Sequence, residues 1–184
     1  MIQRATFNSI LAVGTLAIAS GLFVPDTADA QGRFRAQGVV ANPSGGYSGG
    51  ATQGFSNGNG NGASRGRGFS SDGQGNVRGG SGGAFSGPNG SQGARYGRFS
   101  RDADGGAQGE RGFAWRGANG SSVDSYGSAS YNTDSGLSAD RSTNATTASG
   151  NNYQGSRSYN RDDGYSRSGN CYDASGNSIN CSRY

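Results

Sequence analysis

The chain has 184 residues, a formal net charge of +4, 37 glycines, no histidine and 30% hydrophobic residues, and all 16 of its basic residues are arginine. Without histidine or lysine the usual proton shuttle and amine nucleophile are missing, so the expectation is a non-enzymatic protein with no cofactor. Beyond residue 30 the large aliphatic, phenylalanine and tryptophan side chains number thirteen, too few for an ordinary core. Composition of this kind leaves two options, a chain that is largely disordered or one ordered by regular backbone pairing along a repeat.

The first element is a targeting segment. Arg4 is the only charge before an apolar run from Ile10 to Val24, Pro25 then breaks the helix, and Ala28-Asp29-Ala30 offers a small-x-small cut. Residues 1–30 therefore read as a cleaved signal peptide. About 15 apolar residues fall short of the roughly 20 that a membrane-spanning helix needs. The expected location is secreted, periplasmic or at the cell surface, with no membrane span after cleavage near Ala30. Removal of Arg4, Asp26 and Asp29 leaves 15 arginines against 10 acids.

Residues 31–53 carry Pro43 beside Ser44-Gly45-Gly46 and read as a flexible glycine-rich leader. From about residue 54 to 184 a small residue followed by glycine recurs. The turn glycines are Gly58, Gly73, Gly90, Gly105, Gly120, Gly136, Gly150, Gly164 and Gly176, in steps of 15, 17, 15, 15, 16, 14, 14 and 12 residues. Asn-Gly and Asp-Gly suit two-residue type I′ hairpin turns. An aromatic keeps the same time, as Phe55, Phe69, Phe85, Phe99 and Phe113.

Between the turns the residues alternate. Tyr153, Gly155, Arg157, Tyr159 and Arg161 would share one face of a strand opposite Asn152, Gln154, Ser156, Ser158, Asn160 and Asp162. Arg111, Phe113 and Trp115 likewise oppose Glu110, Gly112, Ala114 and Arg116. The fold class expected is an all-β repeat of some nine strands, about 15 residues per strand-turn unit, either a hairpin meander or a β-solenoid, with a disordered glycine-rich N-terminal part. The alternative is a largely disordered chain.

Two cysteines in an exported chain predict one disulfide, Cys171 to Cys181. A three-residue loop of Ser175-Gly176-Asn177 would set them directly opposite in a terminal hairpin. Nine residues lie between the thiols and there is no histidine, so no metal site is expected. Asp72, Asp104, Asp134 and Asp163 lie at turns, where a carboxylate bonds the backbone. A paired-carboxylate glycosidase is the enzyme class that residue types leave open, but nothing builds a rigid pocket for it.

Arginine sits beside aromatics throughout, as in Arg67-Gly68-Phe69, Arg95-Tyr96-Gly97-Arg98-Phe99, Arg111-Gly112-Phe113 and Trp115-Arg116. Such pairs bind anionic polymers by charge and stacking. The candidate polyanion-binding residues are Arg95, Arg98, Arg111, Arg116, Arg157 and Arg161. Export argues against an intracellular nucleic acid as partner.

From residue 54 onward the chain resembles short secreted bacterial glycine- and serine-rich repeat proteins, by its signal peptide, its Asn-Gly and Asp-Gly turns every 15 residues and its final cysteine hairpin. It is similar more weakly to curli-type surface fibre subunits, whose serine, glutamine and asparagine ladder it lacks. The resemblance implies a role in the cell envelope or extracellular matrix. The even turn beat and the basic aromatic faces add the expectation of a structural or interaction protein whose strands self-associate and present arginine and tyrosine to anionic envelope or matrix polymers. The alternative function is a disordered arginine- and aromatic-rich binder of extracellular DNA or acidic polysaccharide.

Overall fold

The computed structural model describes residues 32–57 and 59–181; the expected signal peptide lies outside them. The described chain is all-β. Eleven strands follow one another as β1 (Gly32–Ala41), β2 (Tyr47–Ser56), β3 (Gly62–Ser71), β4 (Val77–Ser86), β5 (Gln92–Arg101), β6 (Ala107–Arg116), β7 (Ser122–Asn132), β8 (Gly136–Thr146), β9 (Asn152–Asn160), β10 (Gly164–Tyr172) and β11 (Ser178–Ile179). Each pairs antiparallel with the next in one sheet of order β1 to β11. The architecture is a hairpin meander, and the solenoid reading falls.

Strands begin earlier than the expected repeat. The stretch 31–53, read as a flexible leader, carries β1 and most of β2, joined by the turn Asn42–Gly46. The reason lies in the phase of the glycine beat. The left-handed turn glycines begin with Gly45, Gly60, Gly75, Gly90, Gly105 and Gly120, an unbroken 15-residue spacing that starts inside the supposed leader, and continue less evenly with Gly136, Gly150, Gly164 and Gly176. Gly58 lies outside the described residues. Gly73 does have positive φ, but it shares its loop with Gly75, which holds the position equivalent to Gly60 and Gly90.

Six of the turns share a form other than type I′. In the last hairpin Gly176 N donates to Asp173 O at 3.0 Å, and Asp173 N donates to Asn177 O at 2.9 Å. The central pair is therefore Ala174-Ser175 in a type I turn, and Gly176, at φ 86°, supplies the left-handed residue of a three-residue hairpin loop. The same two bonds recur at Asn42–Gly46, Gly87–Ser91, Asp102–Gly106, Gly117–Ser121 and Thr147–Asn151. The first residue of the loop often locks it. Asp173 Oδ1 accepts from Ser175 N and Asn177 N, both at 2.9 Å, while Oδ2 accepts from Asn177 Nδ2 at 3.0 Å. Asp72 does the same toward Gln74 and Asn76. These bonds hold both carboxyls below the ordinary aspartate range, the asparagine side chain being the largest cause.

This loop shifts the final register. Tyr172 pairs with Ser178 and Cys171 with Ile179, so Cys171 and Cys181 are not direct partners as expected. The disulfide forms nonetheless, with Cα atoms 5.3 Å apart, because Cys181 lies two residues beyond the partner position.

The sheet has no hydrophobic core. Among the described residues Cys171, 1% exposed, is the only buried hydrophobic side chain, while Tyr165 is 62% and Phe99 51% exposed. What replaces a core is cross-strand cover of glycine by aromatic rings. Phe69 and Phe99 both lie directly opposite Gly79, and Phe85 opposite Gly93. A Cβ on Gly79 would sit 2.6 Å from Phe99 Cε1, and one on Gly93 2.5 Å from Phe85 Cε1. The missing side chain lets the ring lie over the neighbouring strand, a contact that offsets part of the cost of glycine in a strand.

Candidate polyanion-binding face

Direct partners in an antiparallel ladder project to the same side, so the register sorts every strand residue onto one of two faces. One row runs Gln37, Ala51, Arg67, Ser81, Gly97, Arg111, Gly127, Arg141, Arg157, Arg167 from β1 to β10. The next row on that face begins Arg35, Gln53, Arg65, Gly83, Arg95, Phe113. With Arg33 and Arg101 in its outer rows, this face carries ten arginines. No strand acid joins them: Glu110, Asp124 and Asp140 all fall on the opposite face, with Arg78, Arg98 and Arg116.

The two faces differ in every other respect. The arginine face holds all five repeat phenylalanines, in separate rows: Phe55 and Phe85 with Trp115 near one end of the strands, Phe69 and Phe99 with Tyr159 and Tyr165 near the other, and Phe113 between. The 14- and 16-residue steps reflect this, since successive strands run in opposite directions. The opposite face is rich in serine and glycine, with Phe34, Tyr96 and Tyr126 and the balanced charges among them, and is knitted by hydroxyl pairs such as Ser156 with Ser168 and Ser158 with Ser166, both 2.7 Å apart.

The candidate arginines separate accordingly. Arg95, Arg111 and Arg157 stand together on the cationic face. Arg98 and Arg116 are on the other, where Arg98 Nε forms the ion pair of the described residues with Glu110 Oε1 at 2.5 Å. Glu110 raises the Arg98 pKa, while burial and then the Glu110 charge raise that of Tyr126, whose hydroxyl donates to the same carboxylate. Arg161 stands in the β9–β10 turn, its Nη1 directed at Asp134 O, 3.4 Å away. Sequence reasoning left Arg67, Arg141 and Arg167 out of the candidate set, noting Arg67 only beside Phe69. Their alternation with glycine and serine was visible, but their union in one row depends on register.

The row is electrostatically uncompensated. Arg141, Arg157 and Arg167 are direct partners on three adjacent strands, and like charges so placed destabilise a sheet by a few tenths to about 1 kcal/mol per pair. Arg141 Nε donates to Ser125 Oγ at 3.0 Å. The guanidinium groups of Arg67, Arg95, Arg111, Arg157 and Arg167 meet no acid or hydrogen-bond partner among the described residues. At Gly127 the row lacks a side chain between Arg111 and Arg141, and two shallow depressions of about 400 and 200 Å³ meet there. The larger has Gly109, Ala129 and Ala139 as its floor, with Tyr159 and Tyr165 on one side.

Six turn acids, Asp72, Asp102, Asp104, Asp134, Asp162 and Asp163, gather at the end of the strands where β1 joins β2 and β9 joins β10; Asp173 alone marks the other end. The charges are thus sorted into a cationic face, a neutral face and one acidic rim. Among the described residues no helix is long and apolar enough to cross a membrane. No protein-family model matches the chain, nor does any curated protein or solved structure.

Proposed function

We propose that the chain is an exported, non-enzymatic structural and interaction protein of the cell envelope or extracellular matrix, which lays its arginine and aromatic face against anionic polymers. One observation carries this reading. A sheet without a core places ten arginines and no acid on one face, three of them direct cross-strand partners. A surface of that kind lowers its own free energy when a polyanion supplies the missing charge. The disulfide fits an oxidising compartment.

Self-association is part of the proposal. Among the described residues β1 pairs on one side only and is exposed along its whole length, and Gly164–Asn170 of β10 has no strand outside it. Open edges of this length invite β1 of one copy to extend the meander at β10 of another. Sedimentation with and without an acidic polymer tests both parts. Salt-sensitive retention of the polymer and slow growth of sedimentable material are expected; a chain that stays monomeric and ignores polyanions at low salt would overturn the proposal.

A further inference from the structure

We infer that the polymer is a single-stranded nucleic acid that crosses the strands at right angles, its phosphates on the Arg111–Arg167 row and its bases on the tyrosine side of that row. The inference rests on the proposed polyanion-binding role and names the class of polyanion. Three features of the face converge on it.

The row has the reach of a linear ligand. From Arg111 on β6 to Arg167 on β10 there are four strand steps, about 19 Å at the usual strand spacing, with Arg67 further along the same line beyond Ser81 and Gly97. Planar guanidinium groups hold phosphate oxygens in pairs, and unpartnered ones gain most by it.

Next to the row, about 6.8 Å along the strands, lie Phe99, Tyr159 and Tyr165, all more than 40% exposed. Between Phe99 and Tyr159 the floor is Gly109, Ala129 and Ala139, which leaves a trough where an unpaired base can stack. Single-strand binders combine these two parts, a cationic track and aromatic platforms beside it. A duplex hides its bases, and this face has no helix or ribbon projecting to enter a groove. An acidic polysaccharide would use the arginines but leave the rings without a planar partner.

The test is fluorescence anisotropy with a labelled oligothymidylate of about 15 nucleotides, at the upper end of single-strand site sizes, on the purified chain with its disulfide intact. Arg141→Ser/Arg157→Ser should weaken binding at least tenfold and reduce the slope of log affinity against log salt by about 1.4. Arg141→Lys/Arg157→Lys, which keeps the charges, guards against a folding defect and should retain most of that slope. Tyr159→Ser/Tyr165→Ser should weaken the oligonucleotide about tenfold, as expected for lost stacking, yet leave polygalacturonate binding unchanged. Arg78→Ser, on the other face, should change neither. Equal loss from Arg78→Ser, or an unchanged oligonucleotide affinity in the tyrosine variant, overturns the inference. Preference for polygalacturonate overturns it too while sparing the broader function, whereas failure to bind any polyanion defeats both.

Discussion

Gly79 and Gly82 offer an exacting comparison, because they lie on one strand and face opposite ways. A Cβ at Gly79 would stand 2.6 Å from Phe99 Cε1 and 2.9 Å from the Gly68 carbonyl oxygen, so the ring must leave its place over the strand. At Gly82 the nearest atom, Arg95 O, is 3.6 Å away, an ordinary contact. Gly79→Ala should therefore cost about 1–3 kcal/mol as an overpacking change. Gly82→Ala should instead gain about 0.4–1 kcal/mol, mainly by restricting the unfolded chain. The difference, about 1.5–4 kcal/mol, corresponds to several degrees in Tm for a chain of this size. Urea and thermal unfolding followed by far-ultraviolet circular dichroism will measure it. Phe99→Ala in the Gly79→Ala background should recover part of the loss, since the two residues are direct partners. Equal effects at both glycines, or no coupling to Phe99, would refute the register and the view that rings over glycines stand in for a core.

Other consequences follow from the same register. Arg157→Ser, which removes the middle of three facing arginines, should stabilise the free protein in dilute buffer, and the gain should shrink as salt screens the row; a stability loss at low salt would contradict the face assignment. Cys171→Ser with Cys181→Ser should cost a little under about 3 kcal/mol in the chain-entropy model, and hydrogen exchange should place the extra opening at β10 and β11, not in β4 to β7. Acid should loosen the loops capped by Asp72 and Asp173. Their folded pKa values are depressed below 3.8, so their contribution is complete above the unfolded value and is lost as pH falls through the folded one. In Asp173→Ala that acid-dependent part of the unfolding curve should be smaller, with the two proteins converging at the lowest pH.

Much of the fold is legible in the residues. The alternation of Arg111, Phe113 and Trp115 against Glu110, Gly112 and Ala114 is the alternation the strands show, and the cysteine pair forms. The departures share one cause, the phase of the turn. Reading Asn57-Gly58 and Asp72-Gly73 as turn centres made the beat irregular and hid its first member, Gly45. From Gly45 to Gly120 the chain instead uses glycine as the fourth residue of a five-residue loop, which restores a 15-residue spacing there, and the same loop at Gly176 moves Cys181 two places past alignment with Cys171. At Gly136 and Gly164 the glycine closes the loop as its fifth residue and the spacing stays uneven. The cationic face was legible only in pieces. Alternation puts Arg157 beside Tyr159, but the union of Arg67, Arg111, Arg141, Arg157 and Arg167 depends on pairing sums across eight strands. Arg98 looked equivalent to Arg95, yet an odd spacing of three sends it to the face where Glu110 meets it.

The most direct test of the central claim is an NMR titration of the arginine Nε–Hε signals with inorganic polyphosphate. The signals of Arg67, Arg111, Arg141, Arg157 and Arg167 should shift or broaden together as the polymer is added, while those of Arg78 and Arg98 stay in place. Equal perturbation of both sets, or none in the row, would contradict a sheet that sorts its charges by face.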